Sequence, residues 1–76
     1  MNQENNPQLT DHEIRVLRLV AQGLTNKQIA DFLKIKERTV EFHMSQIFQR
    51  LEVSSRATAI LKAERLGLLN RRYQAW

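Results

Sequence analysis

The sequence predicts an all-α fold, four helices joined by short loops, and two observations carry that prediction. No segment alternates polar and apolar residues for long enough to make a strand, whereas apolar residues return at helical spacing in four separate runs. The runs are also fenced by local punctuation. Thr10 stands three residues before Glu13, and Thr25 three before Gln28, the T-x-x-E/Q spacing of a capping box, while Gly23 and Gly67 fall where helices would stop.

The opening MNQENNPQ is polar, holds the only proline, Pro7, and has no apolar period, so residues 1–8 read as a flexible arm. After Thr10, DHEIRVLRLVAQ places Leu17, Val20 and Ala21 on one face, widened by Ile14 and Val16, and predicts a helix from about Asp11 to Gln22. Behind the second capping box lies a short helix, NKQIADFL, with Ile29, Ala30 and Leu33 apolar. The tripeptide KIK leaves room only for a tight turn. ERTVEFHMSQIFQRL then puts Val40, Met44, Ile47, Phe48 and Leu51 on one stripe at i, i+4, i+7, i+8 and i+11, a core-facing pattern. Ser54 or Ser55 caps a fourth helix, RATAILKAERL, which turns Ala59, Ile60, Ala63 and Leu66 inward and stops at Gly67. Residues 70–76, NRRYQAW, could continue a helix, dangle or wrap a neighbour.

At 76 residues the chain is one small domain, which buries only about 60% of its unfolded surface. It has no cysteine for disulfides or thiolate ligands, and its two histidines, His12 and His43, lie far apart in the sequence, so no metal is expected. No run of about twenty apolar residues and no leader pattern appears, so the cytoplasm is the expected location. Paired carboxylates, a Ser-His or Cys-His constellation and a glycine-rich phosphate loop are all missing; neither an enzyme nor a cofactor is expected. Twelve Lys and Arg against eight Asp and Glu give a net charge of +4, which favours a polyanionic partner.

A short helix, a three-residue turn and a longer helix form the helix-turn-helix plan, in which the second helix enters the DNA major groove and the first crosses the backbone. Leu33, Ile35 and Val40 are expected to meet in a small shared core that sets the angle between the two helices. The outer face of the third helix then projects away from the domain. On that face, amid polar side chains, stands Phe42.

From Leu9 to Leu69 the chain resembles the LuxR/GerE family of bacterial helix-turn-helix domains, found in quorum-sensing receptors and NarL-type response regulators. The resemblance rests on L-T-x-x-E, G-L-T-N-K-x-I-A, T-V-E-x-H, L-x-V-x-S-R and G-L-L, in that order and at the family's spacing. Sigma-factor promoter-reading domains share the L-T-x-x-E and T-V elements, but their second half usually lacks the V-x-S-R and G-L-L run. The resemblance implies a four-helix domain over residues 9–69 whose third helix reads DNA and whose fourth helix makes a dimer contact. The partners it implies are double-stranded DNA, a second copy of the chain, and RNA polymerase. A freestanding regulator and the output domain of a larger protein would look alike in this sequence.

Residue by residue, Thr25, Asn26 and Lys27 match a segment that lies near the DNA backbone in this family. Thr39 begins the reader helix, where its hydroxyl suits a phosphate. Lys34, Lys36, Arg38 and Arg50 complete the expected phosphate contacts, and Glu41, Phe42, Ser45, Gln46 and Gln49 the base-reading set. A phenylalanine aimed into the groove can lie against a thymine methyl. His43 matches a characteristic histidine, with packing or orientation its expected role. Two positions depart from the family pattern: Lys36 replaces the usual Ser or Thr cap, and Glu41 stands where lysine is frequent. On the fourth helix, Ala57, Leu61, Glu64 and Arg65, with Leu68 beyond the stop, form the expected dimer face. Glu37, Glu41 and exposed Phe42 also suit an alternative, a helix-turn-helix that has exchanged DNA for a protein partner.

Overall fold

A computed structural model of the protein describes residues 9–69; the expected arm and tail lie outside them. The described chain forms α1 (Asp11–Ala21), α2 (Asn26–Leu33), α3 (Glu37–Leu51) and α4 (Arg56–Arg65), with no strand among the described residues. The predicted ends of α1 and α4 shorten by one residue each, because Gln22 and Leu66 are their C-caps.

Three of the helices start on reciprocal caps. Thr10 Oγ1 accepts from the Glu13 amide at 3.1 Å while the Thr10 amide donates to Glu13 Oε1 at 3.0 Å, and Thr25 and Gln28 repeat the arrangement. Of the two candidate serines, Ser55 caps α4, paired with Thr58. Only α3 starts without a side-chain cap, on Lys36, as the missing Ser or Thr leads one to expect.

The helices all end the same way. A residue at positive φ turns the chain left-handed, and the next amide donates to a carbonyl five residues back: Leu24 to Leu19, Ile35 to Ala30, Val53 to Phe48, Leu68 to Ala63. This is the longer bond of the Schellman motif, which throws the following apolar side chain back against its own helix. Gly23 and Gly67 supply two of the left-handed positions. The other two are held by Lys34 and Glu52, each at φ 59°, a conformation that costs an L-residue about 1–2 kcal/mol.

Val16, Leu17 and Val20 of α1, Ile29 and Ala30 of α2, Val40, Met44, Ile47 and Leu51 of α3, and Ala59 and Ala63 of α4 form one continuous core. Each larger aliphatic side chain buried there contributes about 1.5–3 kcal/mol. Leu33, at the end of α2, and Ile35, in the turn, pack against this core, to which Val40 belongs. Ile60 and Leu66 are half-buried and pack against the core from α4 and its cap, as Phe48 does from α3. Two expectations need correction. Ala21 is exposed, because α1 ends on it before its face can be covered. Leu68 is no surface residue at all: the left-handed turn at Gly67 folds it back into the core, where it is 1% exposed.

Candidate nucleic-acid interface

Because Val40, Met44, Ile47 and Leu51 anchor one side of α3 in the core, the opposite side is held outward. Arg38, Phe42, Ser45 and Gln49 repeat at i, i+4, i+7 and i+11, and all four are exposed, with exposed Glu41 alongside. Phe42 is 60% exposed, so the ring is not absorbed by its own domain. Gln46 stands apart from this stripe; it is half-buried, turned toward the flank of α3.

That flank also carries Thr39, His43 and Arg50. The histidines that are distant in sequence come together here, His12 of α1 and His43 of α3 having ring centroids 5.9 Å apart at 53°. The crossing of α1 over α3 brings them together. No cluster of three or more His, Cys, Asp or Glu that could hold a metal occurs among the described residues. His43 is half-buried and also lies against the Phe42 ring, at 6.1 Å between centroids. Thr39, half-buried, shares with both histidines a cleft that Lys34 also borders.

Arg50 has a task that the sequence did not reveal. Its Nη1 donates to Glu13 Oε1 at 2.8 Å, and that buried carboxylate is the one closing the cap of α1. Arg50 is therefore a strut between α1 and α3, and its side chain stays exposed at the flank. Lys27, Lys34, Lys36 and Arg38 are all exposed, on the two helix-turn-helix elements and the turn between them.

At the start of α2, Thr25 is exposed and Asn26 half-buried. Asn26 is held by a residue 30 positions along the chain. Arg56, the first residue of α4, donates from Nη1 to Asn26 Oδ1 at 2.8 Å and from Nη2 to the Leu24 carbonyl. Sequence reasoning named Arg56 only as part of a motif and gave it no role. One signal was present: a cation in the first turn of a helix opposes the helix dipole, so its presence asks for a compensating contact elsewhere. Phe32, 64% exposed on α2, was also passed over. It sits in a cleft with Leu19 and Leu24, away from the outward stripe of α3.

Ala57, Leu61, Glu64 and Arg65 are all exposed on α4, Leu61 at 59%, while Leu68 drops out of that face for the reason given above.

Comparison with known proteins agrees with this geometry. The chain is 44% identical over 61 residues to the uncharacterized response regulatory protein YgeK of Escherichia coli K12, covering 80% of the chain and 42% of that protein. The HTH-type transcriptional regulator AlkS of Ectopseudomonas oleovorans is also 44% identical over 61 residues, which make up 7% of its length. Among solved structures, the response regulator ChrA of a heme-sensing two-component system superposes with a TM-score of 0.75 at 35% identity, over 87% of this chain and 34% of that one. The chain thus spans less than half the length of each of these relatives. Residues 7–63 match the GerE family, described as bacterial regulatory proteins of the luxR family. With four helices at the family's spacing and a match over most of its length, the chain belongs to the LuxR/GerE family of bacterial regulatory proteins and carries its helix-turn-helix domain.

Proposed function

We propose that this domain is the DNA-binding part of a bacterial transcriptional regulator, acting in the cytoplasm, that lays α3 in the major groove and binds as a two-fold pair. The observation that carries the reading is the division of α3 into a face locked in the core and an opposite, exposed stripe of Arg38, Phe42, Ser45 and Gln49. Affinity comes from Lys27, Lys34, Lys36 and Arg38 on phosphates, with Thr25, Asn26 and Thr39 as neutral donors. Specificity comes from Glu41, Phe42, Ser45 and Gln49, with Gln46 at the margin. Glu41 accepts from a cytosine amino group, and Phe42 lies against a thymine methyl.

In the pair, exposed Leu61 supplies the apolar contact, small Ala57 lets the helices approach, and Glu64 meets Arg65 of the second copy, a self-complementary arrangement. Without Leu68 this patch is smaller still, so pairing is weak and completed on DNA, with the two reader helices about 34 Å apart in successive grooves. RNA polymerase is the second partner that membership of a regulator family suggests.

The test is a gel-shift titration against sequences selected from random duplex DNA, at two salt concentrations. Affinity should fall with salt at a log-log slope of about −0.9 per phosphate contacted. Phe42→Ala should reduce discrimination by about 1–3 kcal/mol at the contacted base pair while leaving non-specific affinity in place. Leu61→Glu should abolish cooperative binding to two half-sites and spare binding to one. An absence of binding at low salt would transfer the outward stripe, with its exposed Phe42 and Glu41, to a protein partner.

A further inference from the structure

The Arg56–Asn26 contact joins the first turn of α4 to the first turn of α2. The Nη2 bond satisfies a loop carbonyl, that of Leu24, and is an ordinary structural contact. The Nη1 bond satisfies no backbone group. It fixes only the side chain of Asn26, at the first position of α2, immediately before exposed Lys27.

The chemistry of this bond decides which way the Asn26 amide faces. A guanidinium has only donors, so the atom 2.8 Å from Arg56 Nη1 must be the carbonyl oxygen of the carboxamide. The Nδ2 hydrogens therefore face away from Arg56. Had the amide been reversed, its oxygen would meet any approaching phosphate with like partial charge. A donor polarised by a cation on its carbonyl side is also a stronger donor, because linked hydrogen bonds reinforce one another. A cation in the opening turn of α4 is locally unfavourable, and the two bonds it makes across the domain explain its presence there.

We propose that Arg56 is a positioning residue for DNA binding: it holds the Asn26 carboxamide so that Nδ2 donates to a backbone phosphate at the start of α2. The proposal rests on the DNA reading above, and it gives Arg56 an effect on affinity that passes through Asn26. Arg56 itself touches no phosphate.

The experiment is a double-mutant cycle on the full chain with Asn26→Ala and Arg56→Met, and Lys27→Ala as reference. Affinity for a random-sequence duplex is read by fluorescence anisotropy at low salt, with circular dichroism confirming that each variant is folded at the temperature used. Asn26→Ala should weaken binding about tenfold, the loss of one hydrogen bond to a charged group. Arg56→Met should weaken it comparably in the parent, and should cost about tenfold less when made in the Asn26→Ala background. That difference cancels the long-range effect of the Arg56 charge, since the charge is removed in both backgrounds. Losses that simply add would overturn the proposal, as would an Asn26→Ala variant that binds like the parent while Lys27→Ala is weakened. A parent that binds no duplex would overturn the DNA reading as well, so the two failures are told apart.

Should Arg56→Met not fold, the side-chain amide signals of Asn26 in the parent, identified by their loss in Asn26→Ala, decide the question. A shift on adding duplex supports the proposal, and unmoved signals overturn it.

Discussion

The two helices of the helix-turn-helix begin in opposite ways. At the start of α2 side chains close the cap: Thr25 and Gln28 exchange two bonds, and Arg56 holds Asn26 and the preceding loop. At the start of α3, Lys36 makes no side-chain cap, and its carbonyl alone receives the amides of Thr39 and Val40. Both starts leave their first two amides, Asn26 and Lys27 or Glu37 and Arg38, ahead of the first intrahelical bonds, so the difference lies in the side chains. In the proposed complex the contrast would separate two ways of meeting a polyanion. One start holds a side-chain donor in place by hydrogen bonds within the domain; the other keeps a cation where a cap would be, and so gives up stability for charge.

The largest expected effect comes from breaking the closed start. Thr25→Ala removes the acceptor of the Gln28 amide, and should lower unfolding stability by about 1–2 kcal/mol, measured as a denaturant midpoint at constant slope. Lys36→Ala, at the equivalent position of α3, should change stability by far less, since no cap is lost there. Equal losses from the two variants would show that the difference between the starts has no energetic content.

Closing the open start should act with the reverse sign. Lys36→Ser installs the missing cap and should stabilise the domain by about 1 kcal/mol. In the proposed complex it also removes one phosphate contact, so the salt dependence of DNA binding should flatten by about 0.9 in log-log slope. A variant that became more stable and kept the full slope would mean that Lys36 does not reach the DNA.

The closed start also marks where sequence reading succeeds and where it stops. Capping boxes are local, three residues from hydroxyl to carboxylate or carboxamide, and those of α1 and α2 were legible because propensity and spacing act within one turn. The core face of α3 was legible for the same reason, as a single helical period. Arg56 was not, because its partners, Asn26 and Leu24, lie on another element and only the folded chain brings them within reach. The ion pair of Arg50 was hidden likewise, because its charge is visible in the sequence and its partner Glu13 is not. Leu68 was misplaced on the α4 face because it lies beyond a glycine whose left-handed turn sends it into the core. The ends of α2 and α3 fell where the sequence predicts, at Leu33 and Leu51, but the geometry there was hidden: Lys34 and Glu52 carry no turn signature, yet both adopt the left-handed conformation that was recognised only at glycines.

Those two ends provide the smallest and most discriminating test, because they match in backbone geometry and differ in proposed role. Lys34 and Glu52 have the same φ of 59°, and each is followed by an apolar residue whose amide bonds five residues back. Glycine adopts this conformation without the Cβ penalty but loses more backbone freedom on folding, so each substitution to glycine should gain only about 0.5 kcal/mol. The gains at the two sites should be equal, since neither side chain is buried. DNA affinity should separate them. Lys34 lies in the turn before α3 and is a proposed phosphate contact, so Lys34→Gly should weaken binding to every sequence alike. Glu52 lies beyond the far end of α3, and Glu52→Gly should leave affinity unchanged or slightly raised by the loss of a negative charge. Chemical denaturation and an anisotropy titration on the same two variants suffice. Equal stability gains with equal affinity would remove the α2–α3 turn from the proposed interface and leave the phosphate grip to the start of α2.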